Sequence, residues 1–420
     1  MIRETVRIKF LAKVGYGLGQ PPRLSDDGIA ILRATNIERG KLTPRGLIFA
    51  EKVDLPLKRV PLLRTGEILV VRSGAYTGDS ARVTDQWAGS APGYDLRITP
   101  QDVDSAYLAY CLLSTGVLDQ ITLASARAAQ PHLNAEDLGD IPISLPPLDE
   151  QRRIANFLDA ETAQLDDVIA LRNRQLSLLS EMTVSRSFST IRGERMPGPR
   201  KPSNLPWLGD VPRDWRIAAV SHLFEVELGK MLNAERAAGD HLKPYLRIAN
   251  VQWNDIDVSD LAHMDFPPGD RARYRVRTGD LLVNEGGSWP GRAAIWNGQI
   301  PEIYYQKALH RIRPLYEDST RWLMYCLRVA ENLGVFFAQG NATTMTHLTR
   351  EQLRPQRFPF PSEELQGKLA AELDGVYREE RKMAALLRKQ LSLLAERRQA
   401  LITAAVTGQF DATTARPVLP

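Results

Sequence analysis

Two long stretches of the chain carry apolar residues at three- and four-residue steps, the pattern of a helix with one buried stripe. Residues 148–190 contain no proline or glycine and place Ile154, Leu158, Leu165, Val168, Ile169, Leu176, Leu179 and Met182 on such a stripe. The second stretch begins after Pro361, where Ser362 suits a helix cap and Glu363 and Glu364 complement the positive end of the dipole. Its stripe holds Leu369, Leu373, Val376, Met383, Leu387, Leu391, Leu394 and Leu401, and Gly408 is a natural stop. Elsewhere the pattern changes to short β-type runs, Ile29-Ala30-Ile31-Leu32, residues 67–71 and residues 95–98, followed by a short helix near 106–113. Residues 207–360 repeat that style, which predicts two α+β lobes of similar topology.

A helix of about 38 residues spans roughly 57 Å at 1.5 Å per residue, more than one lobe of this size can cover. The expectation is that the two helices bury each other as an antiparallel coiled coil. Lobe, helix, lobe, helix then closes with pseudo-two-fold symmetry. The alternative is that each helix packs only on its own lobe.

The chain is an internal duplication. Residues 175–179 and 390–394 are the same pentapeptide, Gln-Leu-Ser-Leu-Leu, and 390 − 175 = 215. Leu32-Arg33 and Asn36 return as Leu246-Arg247 and Asn250, and Arg64-Thr65-Gly66-Glu67 as Arg277-Thr278-Gly279-Asp280. Gly74 and Gly78 match Gly287 and Gly291, His132-Leu133 matches His347-Leu348, Gln151 matches Gln366, and the Tyr-Cys-Leu of 110–112 matches 325–327. Shared order at a near-constant offset identifies a tandem repeat.

With 420 residues and 43% hydrophobic content there is material for two cores. No apolar run approaches the length of a membrane span, and residues 1–14 lack a signal-peptide core, so the cytoplasm is the default expectation. Cys111 and Cys326, the two cysteines, read as one core slot used twice, not as a disulfide. A net charge of +4 permits a nucleic-acid partner without arguing for one. The connector 192–206 carries four prolines and two glycines and reads as a boundary.

Certain motifs carry a resemblance. Residues 142–155, from Pro142-Ile143-Ser144-Leu145-Pro146-Pro147 through Glu150-Gln151 to Ile154-Ala155, resemble the lobe-to-helix junction of specificity subunits of type I restriction–modification systems. Residues 205–215, with Trp207-Leu208-Gly209 and Trp215, look like the opening of a target recognition domain of that family, and 403–408 like its usual ending. The first lobe lacks the Trp-Leu-Gly opening, and the second junction keeps only Gln366 of the Glu-Gln pair. The resemblance implies target recognition domains at 1–146 and 207–361. Spacer helices follow at 147–191 and 362–408, with a linker at 192–206 and a tail at 409–420. It further implies a subunit without catalysis or cofactor that reads a split, asymmetric sequence in double-stranded DNA. It would recruit two methyltransferase subunits and two restriction subunits, and Glu150, Gln151 and Gln366 become candidate partner contacts. The coiled coil would be built on Leu158, Leu165, Leu176, Leu179, Leu373, Leu387, Leu391 and Leu394.

Candidate DNA contacts come from basic and polar positions near glycine. Arg271, Arg273, Arg275 and Arg277 alternate at strand period, which would place four guanidiniums on one face as a phosphate stripe. Arg64 repeats only the last of them. The matched loops 72–78 and 284–292 offer Arg72, Ser73, Tyr76, Asn284, Trp289 and Arg292 for base edges or stacking. Arg33, Asn36, Arg247 and Asn250 are repeated, which favours framework or phosphate over base reading. His132 and His347 are also repeated and lack ligand-spaced companions.

Gly15-Tyr16-Gly17-Leu18-Gly19 lacks the strand–loop–helix setting of a dinucleotide fingerprint and reads as a turn, and Asp265-Phe266-Pro267-Pro268 is only loosely like a methyltransferase motif. No phosphate-binding GxxxxGK motif occurs. Two rival functions remain: an enzyme carrying its own recognition lobes, and a scaffold that binds protein surfaces.

Overall fold

In the computed structural model, residues 4–126, 131–231, 239–287, 290–338 and 347–410 are described. The chain divides into two compact units. One joins Met1–Arg174 with Leu387–Pro420, and the other is Gln175–Leu386. Both long helices are present at 45 residues each, Leu148–Arg192 and Glu363–Thr407, and each contributes to both units.

The first unit is built on an antiparallel sheet with strand order Ala12–Tyr16, Leu96–Pro100, Ile68–Val70, Ser80–Arg82. Beside it Ile29–Leu32 pairs antiparallel with Ile48–Ala50 and parallel with Ala91–Pro92. Glu4–Arg7 pairs with Pro142–Leu145. The helix Ser105–Leu113 covers the main sheet, burying Tyr107, Leu108 and Cys111 against Ile68, Val70 and Ile98. The strands predicted at 29–32, 67–71 and 95–98 and the helix near 106–113 are all present to within a residue or two.

The second unit repeats these elements strand for strand. Its main sheet runs Phe224–Leu228, Leu309–Pro314, Leu281–Asn284, Ala293–Ile295. Leu242–Leu246 takes one antiparallel and one parallel neighbour, as Ile29–Leu32 does. The helix Thr320–Asn332 fills the role of Ser105–Leu113, with Cys326 buried in the place of Cys111 and both thiols free. One addition is local to this unit: Arg200–Pro202 pairs with Asp210–Pro212, so part of the predicted linker is a β-ribbon packed over Trp215. Gly193 ends the first long helix at φ +66, and a side chain there would strike Pro212 and Trp215.

The helices pair antiparallel within each unit. In the first, Ile154, Ala155 and Leu158 share a core with Ile402, Ala405 and Val406, and Arg398 bonds Asp166 at 3.1 Å. In the second, Ile191 joins Leu369, Ala370, Leu373 and Tyr377, while Arg186 and Arg195 both reach Glu372. Leu158, Leu165, Leu373 and Leu387 are buried, whereas Leu176, Leu179, Leu391 and Leu394 are half-buried. Val168, Met182 and Met383, read as part of the stripes, are exposed instead. A straight helix drifts about 20° per heptad from a strict seven-residue repeat, so the buried track leaves those positions. Thr162, Thr183, Ser187 and Thr190 take buried places on it, three of them returning their hydroxyl protons to the carbonyl one turn back. Among the described residues no single helix is long and apolar enough to cross a membrane.

One junction recurs. The amide of Gln151 accepts from Asp104 N at 2.9 Å and donates to Pro146 O, and that of Gln366 accepts from Ser319 N at 2.9 Å and donates to Pro361 O. Asp104 and Ser319 are themselves the caps of the helices that cover each sheet. Tyr110 donates to Asp159 and Tyr325 to Asp374, adding a second bond between covering helix and long helix. The second junction, which lost its Glu in the sequence, keeps every bond made by the Gln.

Removing a buried hydrogen-bonding partner costs about 1–3 kcal/mol for the group left unpaired. Gln151→Leu and Gln366→Leu are each expected to lower the denaturant midpoint by that order, while a surface control at the exposed Gln164, Gln164→Leu, leaves it unchanged. His310 supplies a pH test. It is fully buried, and burial pulls its imidazole from 6.5 down to about 4. The unfolded chain therefore binds a proton that the folded one refuses, so stability present above pH 6.5 is lost as pH falls toward 4. That loss is about 3 kcal/mol, and it is expected to shrink in His310→Gln, read from denaturation curves across pH 7 to 4.

Candidate nucleic-acid interface

In each lobe a glycine loop follows the central strand of the main sheet. The loop after Ile68–Val70 turns at Gly74 and Gly78, with φ +95 and +94, and Leu133 N bonds Arg72 O at 2.8 Å. The loop after Leu281–Asn284 turns at Gly287 and Gly291, and Leu348 N bonds Glu285 O at 2.6 Å. These bonds make Arg72 and Glu285 equivalent. The strand before each sheet's long neighbour ends in a glycine packed on backbone: a Cβ at Gly17 would meet Gly93 O, and one at Gly229 would meet Gln306 O. Gly15-Tyr16 thus ends a strand rather than forming the predicted turn, and the flanking glycine is there for close approach.

Around the first loop the guanidinium of Arg72 lies over Tyr16 at 4.6 Å and over Tyr94 at 4.7 Å. Its Nε is buried without a hydrogen-bond partner, while Tyr16 and Tyr94 stand exposed beside it and Tyr76 is exposed on the same loop. Ser73 bridges to His132. Beneath this surface Asp95 accepts from Arg72 N, and burial raises its carboxyl above the usual range. The hydrogen bonds Gly17 N to Asp95 O and Gly229 N to Leu309 O make Leu228 the counterpart of Tyr16 and Ala308 the counterpart of Tyr94, with Lys307 one residue before it. The second lobe therefore has Leu228, Glu285 and Ala308 where the first has Tyr16, Arg72 and Tyr94, so both rings are lost and the neighbouring charge is that of Lys307. Burial raises the Glu285 carboxyl, with Lys307 and His347 acting in the opposite sense. Tyr16 and Tyr94 were missed in the sequence because neither is repeated and their partner lies on another strand.

Several expected contacts are overturned. Asn36 and Asn250 are buried, each accepting from the backbone N–H of Arg33 or Arg247 and donating to two loop carbonyls, so they shape the turn and cannot reach DNA. Asn284 is also buried, at the end of its strand with its side chain inward. Gln151 and Gln366 are enclosed at the junctions and are not available to a partner protein, whereas Glu150 is partly exposed. Arg33 and Arg247 each donate to a loop carbonyl, of Gly46 and Asp260, and Arg247 also pairs with the Asp260 carboxylate. Trp289 lies outside the described residues.

The arginine stripe is not a strand. Pro268–Tyr274 is a short helix with proline in its first turn, and Arg275 begins an extended segment. Arg273 turns to Glu227 and Tyr274, while Arg271, Arg275 and Arg277 line a hollow of about 620 Å³ with Glu302. Arg271 donates to Phe266 O and Arg275 to Pro301 O, so neither positive charge is cancelled by those bonds. Arg277 and Arg64 stand at the end of the central strand away from the glycine loop, roughly 10 Å along it at 3.3 Å per residue. Arg292 belongs to the loop and donates to Gln252, and its burial lowers its pKa from the ordinary value. The candidates thus fall into two groups in the second lobe instead of one surface.

Beside Arg64 the sheet holds a charge that the sequence did not flag. Glu67, buried, takes both Arg97 and Thr99, and Asp280 takes Arg313 at 2.6 Å. Each acid also accepts from the backbone N–H of Arg64 or Arg277. Among the described residues no group of three or more His, Cys, Asp or Glu could hold a metal ion.

The family model for the type I restriction modification DNA specificity domain matches residues 31–178 and 212–388. Over 262 residues the chain is 24% identical to the EcoKI specificity subunit of Escherichia coli K12, covering 62% of this chain and 55% of that one. Over 323 residues it is 23% identical to the EcoBI specificity subunit of Escherichia coli, covering 71% and 64%. The alignment with the EcoKI subunit thus spans about half of that relative's length. A chain solved in work on complex assembly and conformational transition of the type I restriction–modification system superposes with a TM-score of 0.71 at 18% identity, over 97% of this chain and 98% of that chain. With both lobes covered by the family model, the chain belongs to the type I restriction modification DNA specificity domain family.

Proposed function

We propose that this chain is the non-catalytic DNA-reading subunit of a type I restriction–modification complex, working in the cytoplasm. Each lobe reads one half of a split, asymmetric target, and the paired long helices set the separation of the halves. The chain recruits two methyltransferase subunits and two restriction subunits, which carry out the chemistry. The observation that carries this reading is the matched framework with unmatched edges. Two lobes with the same strand order and the same turn-forming Asn present Tyr16, Arg72 and Tyr94 in one and Leu228, Glu285 and Ala308 in the other, with Lys307 near Glu285. An arginine fork held between two rings suits a guanine edge or a phosphate, whereas a carboxylate beside a lysine suits a cytosine amino group and a phosphate. Two readers of different chemistry require a non-palindromic site. The arginines at 271, 275 and 277, together with Arg64, supply sequence-independent attraction to the backbone.

The test is modification mapping with the chain and its methyltransferase subunit. Arg72→Ala is expected to relax the sequence at positions of one half-site only, with a loss of about 1–3 kcal/mol if it contacts a base. Equal weakening on every sequence, with a shallower salt dependence, assigns Arg72 to phosphate instead. Glu285→Gln is expected to act on the other half alone. Methyl transfer to DNA by the purified chain without a partner would overturn the non-catalytic assignment. A second test removes about one heptad from both long helices. A stable variant is expected to select a different spacing between half-sites, and an unchanged spacing sinks the spacer role.

A further inference from the structure

We propose that the crease between the second lobe and the second long helix is a binding site for a phosphate-bearing ligand, held by Arg378 and Arg381. The hollow there measures about 580 Å³ and is lined by Asn254, Asn297, Arg321, Asp374, Arg378 and Arg381. That volume falls within the range of small-ligand sites, roughly 300–1,000 Å³. Its one acid is already satisfied: Asp374 pairs with Arg321 and accepts from the Tyr325 hydroxyl. Arg378 and Arg381 are exposed, three residues apart on one helix face, and have no ion-pair partner among the described residues. Two fork-shaped cations open to solvent at the mouth of a hollow suit phosphate oxygens.

The internal duplication provides the control. Arg378 and Arg381 correspond to Ala163 and Asp166, since 378 − 163 and 381 − 166 both equal 215. In the first unit the same crease is narrower. Asp166 is held by Arg398 at 3.1 Å and Lys41 at 2.7 Å, and the remaining space is about 230 Å³. An ordinary solvated helix face would need no such difference between copies of one framework. The first crease sets Asp159 and Asp166 against Lys41, Arg82 and Arg398, whereas the second sets Asp374 alone against Arg321, Arg378 and Arg381.

The ligand phosphate can be free, as in a nucleotide, or part of a DNA backbone, and two titrations of the full chain separate these sources. Adenosine monophosphate is titrated calorimetrically, and a short duplex of arbitrary sequence is titrated at several salt concentrations. The variants are Arg378→Gln/Arg381→Gln, both exposed, and Asn254→Asp, which adds a negative charge at a position whose φ of +57 an Asp tolerates. A free ligand predicts saturable nucleotide binding that weakens about tenfold or more in both variants, with melting unchanged in the double variant. A DNA phosphate predicts no nucleotide binding and a log–log salt slope reduced by about 1.8 in the double variant, at roughly 0.9 per phosphate. The proposal falls if neither titration responds, or if the double variant only releases a protein subunit that otherwise co-purifies. The nucleotide arm does not depend on DNA reading, so a failure of that reading leaves this result legible.

Discussion

Each unit depends on one buried amide. Gln151 in the first and Gln366 in the second bind the backbone N–H of the residue that caps the covering helix and the carbonyl at the start of the long helix. A glutamine side chain can accept and donate at once, and in a dry junction both halves must be used. That requirement fixes rotation and depth of the long helix against its own lobe. Trp322 and Tyr107 then extend the same contact, donating to Pro359 O and Ser144 O on the strand that leads into the helix. Apolar packing alone would permit the helix to slide by a turn. The amide permits one register.

With the helix registered, each lobe has a matched buried acid on the central strand to accommodate. Glu67 and Asp280 occupy equivalent places on the central strand, yet the cation arrives from Arg97 in one lobe and Arg313 in the other. Arg97 lies opposite Leu69, whereas Arg311, not Arg313, lies opposite the matching Leu282. The framework therefore preserves a neutralised acid at that point while the arginine has moved two positions along the neighbouring strand. This is how two copies can hold one backbone while their edges diverge: what must be kept is hydrogen-bond satisfaction and charge balance, and several side chains can supply either. The glycine loops follow the same rule, since backbone bonds keep their path and leave the side chains between the glycines free to differ.

Charge is distributed unevenly by the same process. In the first unit Lys41 and Arg398 both reach Asp166, and the second leaves Arg378 and Arg381 open at the matching place. In the second lobe Arg311 and Arg313 are tied to Glu225 and Asp280, whereas Arg271 and Arg275 donate to carbonyls and line a hollow with Glu302. A net charge of +4 spread evenly would say little. Sorted into neutralised and open arginines, it marks which surfaces attract an anion.

The sequence by itself determined the duplication, the two long helices with their ends, the central strands and the twin cysteine slots. All of these are written in periodicity, helix-ending glycines and shared spacing, which are local or one-dimensional signals. It also carried the junction motifs that identify the family. Tertiary structure decided which polar residues are used up inside. Asn36, Asn250, Asn284, Gln151 and Gln366 look like contact residues in one dimension, and their partners are mostly backbone groups, as far as 47 residues away in the chain. It also decided that residues 268–274 are helical, because a proline in the first turn and the packing of Tyr274 outweigh an alternation of arginines. Periodicity reports which face of an element is apolar; only folding reports what each polar group meets.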